Sequence, residues 1–87
     1  MSGWNGRKIA RLTALVFAEH GRVCHLCGMP GADSIDHIIP RALGGTDELD
    51  NLMPAHARCN SSRGAMPLDA WRARHPLPRR APPSRSW

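Results

Sequence analysis

The first twenty residues alternate apolar and polar side chains with the period of an α-helix. Apolar residues recur at intervals of three and four positions, at Ile9, Leu12, Leu15 and Val16. This spacing places them on one face of a helix and leaves basic side chains on the other. Asn5 is a suitable cap for its start, and Gly21 is a suitable left-handed stop. We therefore predict an amphipathic helix from Asn5 to His20.

The middle of the chain has the pattern of short strands joined by turns. Residues 34–39 are rich in β-branched side chains and predict a strand, and residues 51–53 predict a returning strand that Pro54 ends. Short helices are predicted at 56–63 and 67–74. The order strand, loop, strand, helix predicts a small α+β fold with an N-terminal helix and a short C-terminal helix.

The chain is expected to form a single domain over residues 1–74, followed by a tail. Residues 75–87 contain four prolines and three arginines but no acid, so they cannot pack a core. We expect this tail to be disordered, either as a solvated end or as a grip on DNA phosphates.

A chain of 87 residues buries little apolar surface and needs a further source of stability. Three cysteines do not make a disulfide framework, and residues 1–23 show no secretory signal. We therefore expect a cytoplasmic protein that is not secreted. No apolar run is long enough to cross a bilayer, so no membrane role is predicted.

The charge of the chain favours a partner that carries phosphate. Twelve lysines and arginines face seven acids, which gives a net charge of +5 and an isoelectric point near 10.5. Almost all the cations are arginine, whose planar fork grips phosphate oxygens. DNA is the expected partner, and simple solubility is the alternative explanation.

Two pairs of side chains have the spacing of zinc ligands. Cys24 and Cys27 form one pair, and His56 and Cys59 form the other, each separated by two residues. Such pairs offer four atoms to one tetrahedral Zn²⁺, which would supply much of the folding energy. A redox pair would need a βαβ setting for which the chain has no room. His25 is a competing ligand, but its side chain would have to turn away from both cysteines.

These pairs enclose a longer pattern that resembles the HNH nuclease signature in its H-N-N form. The resemblance covers residues 24–64 and implies a ββα-metal (His-Me finger) motif with a structural zinc site. Four ordered blocks carry it: Asp36-His37-Ile38-Ile39-Pro40, Gly44-Gly45, Asp50-Asn51-Leu52 and His56-x-x-Cys59-Asn60-x-x-Arg63-Gly64.

The resemblance implies a role for each polar residue of the pattern. His37 is the expected general base, Asp36 and Asn60 are the expected ligands of a catalytic divalent metal, and Asn51 is expected to hold the loop in shape. Histidine suits proton removal near neutral pH, and oxygen ligands suit Mg²⁺ or Mn²⁺. Successive strand residues point to opposite faces, so Asp36 and His37 would need an irregular strand, such as a bulge or a twisted end, to share a site.

Two positions depart from the pattern of many relatives. His56 stands where many have cysteine, and Asn60 stands where many have a third histidine. The neutral oxygen of asparagine favours Mg²⁺ or Mn²⁺ over Ni²⁺ or Zn²⁺. Arg41, Arg58 and Arg63 lie near the motif and are candidates for binding DNA, although each is equally well explained as solvated surface.

The resemblance thus implies a metal-dependent DNA endonuclease that nicks DNA or cuts it with low specificity. Similar small proteins are encoded by phages beside DNA-packaging genes, which makes a large terminase or another targeting protein an expected partner. Two alternatives stay open: a zinc-dependent DNA-binding module without turnover, and an adaptor that contacts a larger protein.

Overall fold

The computed structural model describes residues 6–77, which contain three α-helices and one two-stranded antiparallel sheet. This is the small α+β fold that the sequence predicts. Asn5, the predicted cap, and residues 78–87 of the predicted tail lie outside the described residues. In chain order the elements are α1 (Gly6–His20), β1 (Ser34–His37), β2 (Leu52–Ala55), α2 (Ala57–Arg63) and α3 (Leu68–Arg74).

Helix α1 covers the sheet with its apolar face. Val16 on α1 packs with Ile35 and Leu52 of the two strands in one buried cluster. The helix ends where predicted, because Gly21 adopts a φ of 77° and donates its N–H to the Phe17 carbonyl at 2.8 Å. Leu15, which the periodicity placed on the apolar face, is 46% exposed.

Strand β1 is shorter than the sequence predicts. It ends at His37, although the β-branched pattern runs on to Ile39. Beyond His37 the backbone bonds to Asn51, the residue just before β2. Ile38 donates its N–H to the Asn51 carbonyl, but Ile39 donates to the Asn51 side chain, so the backbone ladder stops there.

Strand β2 runs through Pro54, so the prediction that this proline ends the strand is wrong. Pro54 lies opposite Ile35 in the register. Its carbonyl faces away from β1 and accepts the His25 N–H at 2.9 Å. In a two-stranded sheet both strands are edge strands. At Pro54 the backbone nitrogen points away from β1, as its carbonyl does, so the missing N–H costs the ladder no hydrogen bond.

A second cluster joins the cysteine turn to helix α3. Leu26, Ala32, Ala55 and Trp71 are buried there together with Cys24. The Trp71 indole donates its Nε1–H to the Leu26 carbonyl at 2.9 Å, which satisfies the one polar atom of a side chain that is 4% exposed. Trp71 therefore locks α3 onto the turn between Cys24 and Cys27.

Replacement of Leu52 by alanine should reduce the free energy of unfolding by about 2 to 5 kcal/mol, because it leaves a cavity under α1. Leu52 is 0% exposed, whereas Leu43 is 52% exposed and serves as the matched control. Leu43→Ala should change the same quantity by less than about 0.5 kcal/mol. Denaturant unfolding of the zinc-loaded proteins measures both, and equal losses would contradict the packing described.

Candidate metal centre and active site

The two ligand pairs predicted from spacing meet at one point of the fold. One ligand atom from each of Cys24, Cys27, His56 and Cys59 lies within 4.8 Å of all the others. The Nδ1 atom of His56 is 3.4 Å from Cys27 Sγ and 3.8 Å from Cys59 Sγ. Three sulfurs and one nitrogen at such separations fit the tetrahedral coordination that zinc prefers.

A tight turn positions the two ligands of the first pair, and the start of α2 positions the two ligands of the second. The N–H of Gly28 closes the cysteine turn on the Cys24 carbonyl at 2.7 Å, while His56 immediately precedes α2 and Cys59 lies in its first turn. His56 donates its Nε2–H to the Pro30 carbonyl at 3.0 Å. That bond holds the ring proton on Nε2 and directs the Nδ1 lone pair toward the cysteines, as in many metal sites.

The cysteines differ in how readily they ionise. Burial raises the pKa of Cys24, but backbone N–H groups, that of His56 foremost, outweigh it and lower the pKa to about 7. Burial raises the pKa of Cys59 to about 12, and the neighbouring Cys24 adds to the rise. A metal that binds here must therefore displace a proton from Cys59, which couples its affinity to pH.

His25 stands outside this cluster although it lies between two of its members. Its Nε2 donates to Asp36 Oδ2 at 2.8 Å, and both side chains are about 5% exposed. The histidine that joins the cysteines is thus His56. His25 instead connects the cysteine turn to strand β1, a link for which the sequence carries no spacing signal.

The Asp36 carboxylate is held between two buried donors. Arg63 Nη1 lies 2.6 Å from Asp36 Oδ2, the same oxygen that accepts from His25. The Arg63 side chain is 0% exposed. A fully buried guanidinium beside a buried carboxylate forms a strong, charge-assisted pair that fixes the position of Asp36.

Arg63 also donates three hydrogen bonds to backbone carbonyls. It bonds the carbonyls of His37 at 2.7 Å, Ile38 at 2.6 Å and Met66 at 2.8 Å. These bonds satisfy the end of β1, where the ladder with β2 stops. A guanidinium used in this way is not presented to a DNA strand, so the prediction that Arg63 binds DNA is not supported by its position.

Asn60 lies close to Asp36 in the fold, where α2 meets β1. Its amide nitrogen donates to the Ile35 carbonyl at 3.0 Å, so Oδ1 is the atom that Asn60 would offer to a cation. Asp36 and Asn60 would together offer two oxygens, a donor set that suits a hard cation that keeps several waters. The charge of Arg63 offsets that of Asp36, so we expect the cation to bind weakly until phosphate oxygens join it.

Of the two irregularities expected at Asp36 and His37, a bulge or a twisted strand end, the bulge is absent. β1 and β2 pair without interruption from Ser34 opposite Ala55 to His37 opposite Leu52. The two side chains accordingly have different partners: Asp36 bonds Arg63 and His25, whereas His37 bonds Asp47 in the loop between the strands. His37 is the last residue of β1, where the regular ladder ends.

Asp47 is a site residue that sequence reasoning missed. Its Oδ1 accepts from His37 Nε2 at 2.8 Å, and its Oδ2 lies 3.4 Å from Lys8 Nζ on α1. Arg41 Nε is 3.8 Å from the same carboxylate. The hydrogen bond from His37, helped by the charges of Arg41 and Lys8, lowers the pKa of Asp47 below its ordinary value. In the sequence this acid looks like an ordinary turn residue after two glycines.

Asn51 shapes the loop that carries Asp47. Its Oδ1 accepts the Ile39 N–H at 2.9 Å, and its Nδ2 donates to the carbonyls of Ile39 at 3.1 Å and Thr46 at 2.8 Å. Gly45 passes so close that a Cβ there would lie 1.6 Å from the Ile39 carbonyl oxygen. One buried amide thus ties the start of the loop to its end.

Arg41 and Arg58 remain on the surface. Arg41 is in a single 3₁₀ turn, Arg41–Leu43, and its side chain is 46% exposed beside Asp47. Arg58 is exposed on α2, next to Cys59. Their predicted contacts with DNA stay predictions.

Comparison with known families places the site in a described class. Residues 24–65 match the family described as HNH endonuclease. This segment runs from the first cysteine to just past α2, and it contains every predicted ligand and catalytic residue. Residues 24–65 are therefore similar to the HNH domains of this family, and the match covers just under half of the chain.

A curated protein also matches part of this chain. Over 52 residues this chain is 40% identical to the CRISPR-associated endonuclease Cas9 of Corynebacterium diphtheriae (strain ATCC 700971 / NCTC 13129 / Biotype gravis). The match covers 55% of this chain and 5% of that protein, so the chain spans only a small fraction of its relative's length. No solved structure gives a significant match. Among the described residues, every helix is too short or too polar to cross a membrane.

We predict that the purified chain binds one zinc ion and that Cys24→Ser or Cys59→Ser abolishes binding and folding, because the metal supplies much of the folding free energy. Metal analysis after dialysis and circular dichroism measure the two effects. His25→Ala is the control and should keep its zinc. Loss of zinc from His25→Ala, with retention in Cys59→Ser, would contradict the assigned ligand set.

Asn51→Ala should destabilise the fold by about 1 to 3 kcal/mol, because buried hydrogen bonds are lost. The Ile39 amide, which donates to Asn51 Oδ1, should also exchange its hydrogen faster. Asn51→Asp keeps that acceptor and should leave the Ile39 amide protected while weakening the bond to Thr46. Hydrogen exchange followed by NMR distinguishes the variants, and an unchanged Ile39 amide in Asn51→Ala would show that the loop is held by other contacts.

Proposed function

We propose that this chain is a divalent-metal-dependent DNA endonuclease that hydrolyses phosphodiester bonds. The observation that carries the proposal is the arrangement around the end of β1. His37 is hydrogen-bonded through one ring nitrogen to a carboxylate. The Asn60 side chain bonds the carbonyl of Ile35, the residue next to Asp36, which brings Asn60 to the same strand. The HNH domain supports DNA as the substrate.

His37 is the general base in this proposal. Its imidazole takes a proton from a water molecule whose oxygen attacks the phosphorus. A new bond forms between phosphorus and the water oxygen, and the bond to the 3′ oxygen breaks. The leaving 3′ oxygen takes a proton from solvent. The products carry a 5′-phosphate and a 3′-hydroxyl group.

Asp36 and Asn60 are the proposed ligands of the catalytic cation. When bound, Mg²⁺ or Mn²⁺ supplies Lewis-acid stabilisation of the phosphate charge. Arg63 and His25 hold Asp36 in place, so the carboxylate needs no rearrangement before DNA arrives. The four-ligand cluster is proposed as a structural zinc site, which ties α2, and with it Asn60, to the cysteine turn.

The exposed arginines are the proposed contacts to the DNA backbone. Arg41 lies beside the His37–Asp47 pair, and Arg58 is exposed on α2. On α1, Arg7 and Arg11 are also exposed and lie one helical turn apart. Contacts to phosphate position a protein without reading sequence, which supports nicking or cleavage of low specificity.

A targeting partner and a cellular setting are finer parts of the proposal. Within residues 6–77, the helices outside the HNH segment are α1 and α3, so selection of a DNA site would fall to them or to another protein. The resemblance to small phage-encoded proteins supports a large terminase as that protein, acting in DNA packaging in the cytoplasm of a host cell.

One observation favours a second candidate, a DNA-binding module without turnover. The buried Arg63 guanidinium neutralises Asp36, the only carboxylate proposed to bind the catalytic cation. A domain that kept this pair for stability alone would bind DNA and never recruit the metal. Binding without cleavage under every cation would favour this candidate.

His37→Ala should lower the rate of supercoiled plasmid cleavage by at least about 100-fold, because it removes the general base. His20→Ala, which removes an exposed histidine from α1, is the matched control and should cleave like the wild type. Zinc-loaded proteins are compared with Mg²⁺, with Mn²⁺ and without added cation, after circular dichroism shows equal folding. Equal cleavage by wild type and His37→Ala would exclude His37 as the base.

A further inference from the structure

We infer that Asp47 is a positioning residue for His37: it holds the proton of the neutral imidazole on Nε2, so that Nδ1 presents the lone pair that takes the proton from water. The inference rests on the proposed function, because the position of the ring matters to catalysis only if His37 is the base. It adds a residue and a ring orientation to that site.

The direct contact sets which ring nitrogen carries the proton. Asp47 Oδ1 lies 2.8 Å from His37 Nε2. An ionised carboxylate can only accept hydrogen bonds, so the imidazole must be the donor through Nε2–H. The lowered pKa of Asp47 keeps the carboxylate ionised throughout the neutral range. In the neutral ring the basic lone pair is then on Nδ1.

Asp47 is held in place by two contacts to its carboxylate and by one to the backbone just before it. Lys8, which is 39 residues away on α1, reaches Oδ2 at 3.4 Å, and Arg41 lies 3.8 Å from Oδ1. Asn51 bonds the carbonyl of Thr46, the residue that immediately precedes Asp47, at 2.8 Å. The position of Asp47 is therefore determined before any substrate binds. Helix α1 takes part in this although it lies outside the segment that matches the HNH family.

Stability of the fold does not explain this arrangement. The side chains of His37 and Asp47 are 16% and 25% exposed, and ion pairs this near to solvent contribute little to folding. A hydrogen bond that selects one tautomer needs little energy, because the two neutral forms of imidazole are close in free energy. We therefore expect its loss to lower the reaction rate much more than the free energy of unfolding.

Substitutions at Asp47 separate a positioning role from a merely structural one. Asp47→Asn is nearly isosteric, but its amide can donate to Nε2 and move the ring proton to Nδ1, where it blocks the base. We expect Asp47→Asn and Asp47→Ala to lower the cleavage rate at saturating DNA by about 10- to 100-fold. The DNA concentration for half-maximal rate should change by less than about 2-fold. Asp47→Glu keeps the carboxylate and should recover part of the rate.

Glu48→Gln is the matched control, since it removes the same charge from the next residue, whose side chain is exposed. It should leave both kinetic quantities unchanged. A loss in Glu48→Gln as large as that in Asp47→Asn would mean that the loop's charge, and not the contact with His37, is what matters, and would overturn the inference.

A second measurement does not depend on cleavage. In the ¹⁵N-labelled, zinc-loaded full chain without DNA, at a pH where the imidazole is neutral, ring nitrogen shifts identify the protonated atom of each histidine. His37 is assigned by the signals that His37→Ala removes. We expect an Nε2–H form with a slowly exchanging proton in the wild type, loss of that slow exchange in Asp47→Ala, and an increased Nδ1–H fraction in Asp47→Asn.

The two measurements fail in different ways. A wild-type His37 that carries its proton on Nδ1, or that is unaffected by Asp47→Ala, overturns the inference even if the plasmid is cut. A wild type with the expected ring signals that never cuts DNA under any cation contradicts the proposed function, and with it the catalytic use of this contact. Slow cleavage by Asp47→Asn together with the shifted proton supports both.

Discussion

The meeting of Cys24, Cys27, His56 and Cys59 is the constraint on which the rest of the site depends. It closes the segment between residue 27 and residue 56 into a loop, and both strands and every predicted active-site residue except Asn60 lie within that loop. Asn60 follows Cys59 directly, so its place beside β1 is set by the same closure. The part of the chain that the structure describes has two small buried clusters, which leave few other means of holding this geometry.

Polar side chains provide hydrogen-bond partners for backbone groups that so small a sheet leaves unpaired. The β1–β2 ladder has only four residue pairs, and the backbone beyond it still needs hydrogen-bond partners. Arg63 supplies donors to the carbonyls at the end of β1, and the Asn51 amide serves the loop that follows. These two residues therefore set where the strand stops and where the loop travels, and thus where His37 and Asp47 meet.

Cations of this chain compensate the charges of both carboxylates in the candidate site. Arg63 compensates Asp36 inside the fold, and Lys8 and Arg41 compensate Asp47 nearer the surface. Both carboxylates are consequently held in place by cations of this chain. Within residues 6–77, several other arginines are exposed and available to a polyanionic partner: Arg7, Arg11, Arg22, Arg58 and Arg74. With its carboxylates already compensated, such a site would undergo its largest change in net charge when a phosphate group binds.

Local patterns in the sequence predicted the helices and the two pairs of metal-ligand side chains, and they marked His37, Asp36, Asn51 and Asn60 as candidate site residues. Each depends on spacing within a few residues or on a motif that resembles a known family. Only the tertiary structure decided that Asp47 faces His37, that His25 joins Asp36 and that Arg63 is buried, because these contacts link residues 10, 11 and 27 positions apart through folded backbone. The end of β1 was decided in the same way: β-branched residues favour a strand to Ile39, but hydrogen bonds from distant side chains outweigh that preference.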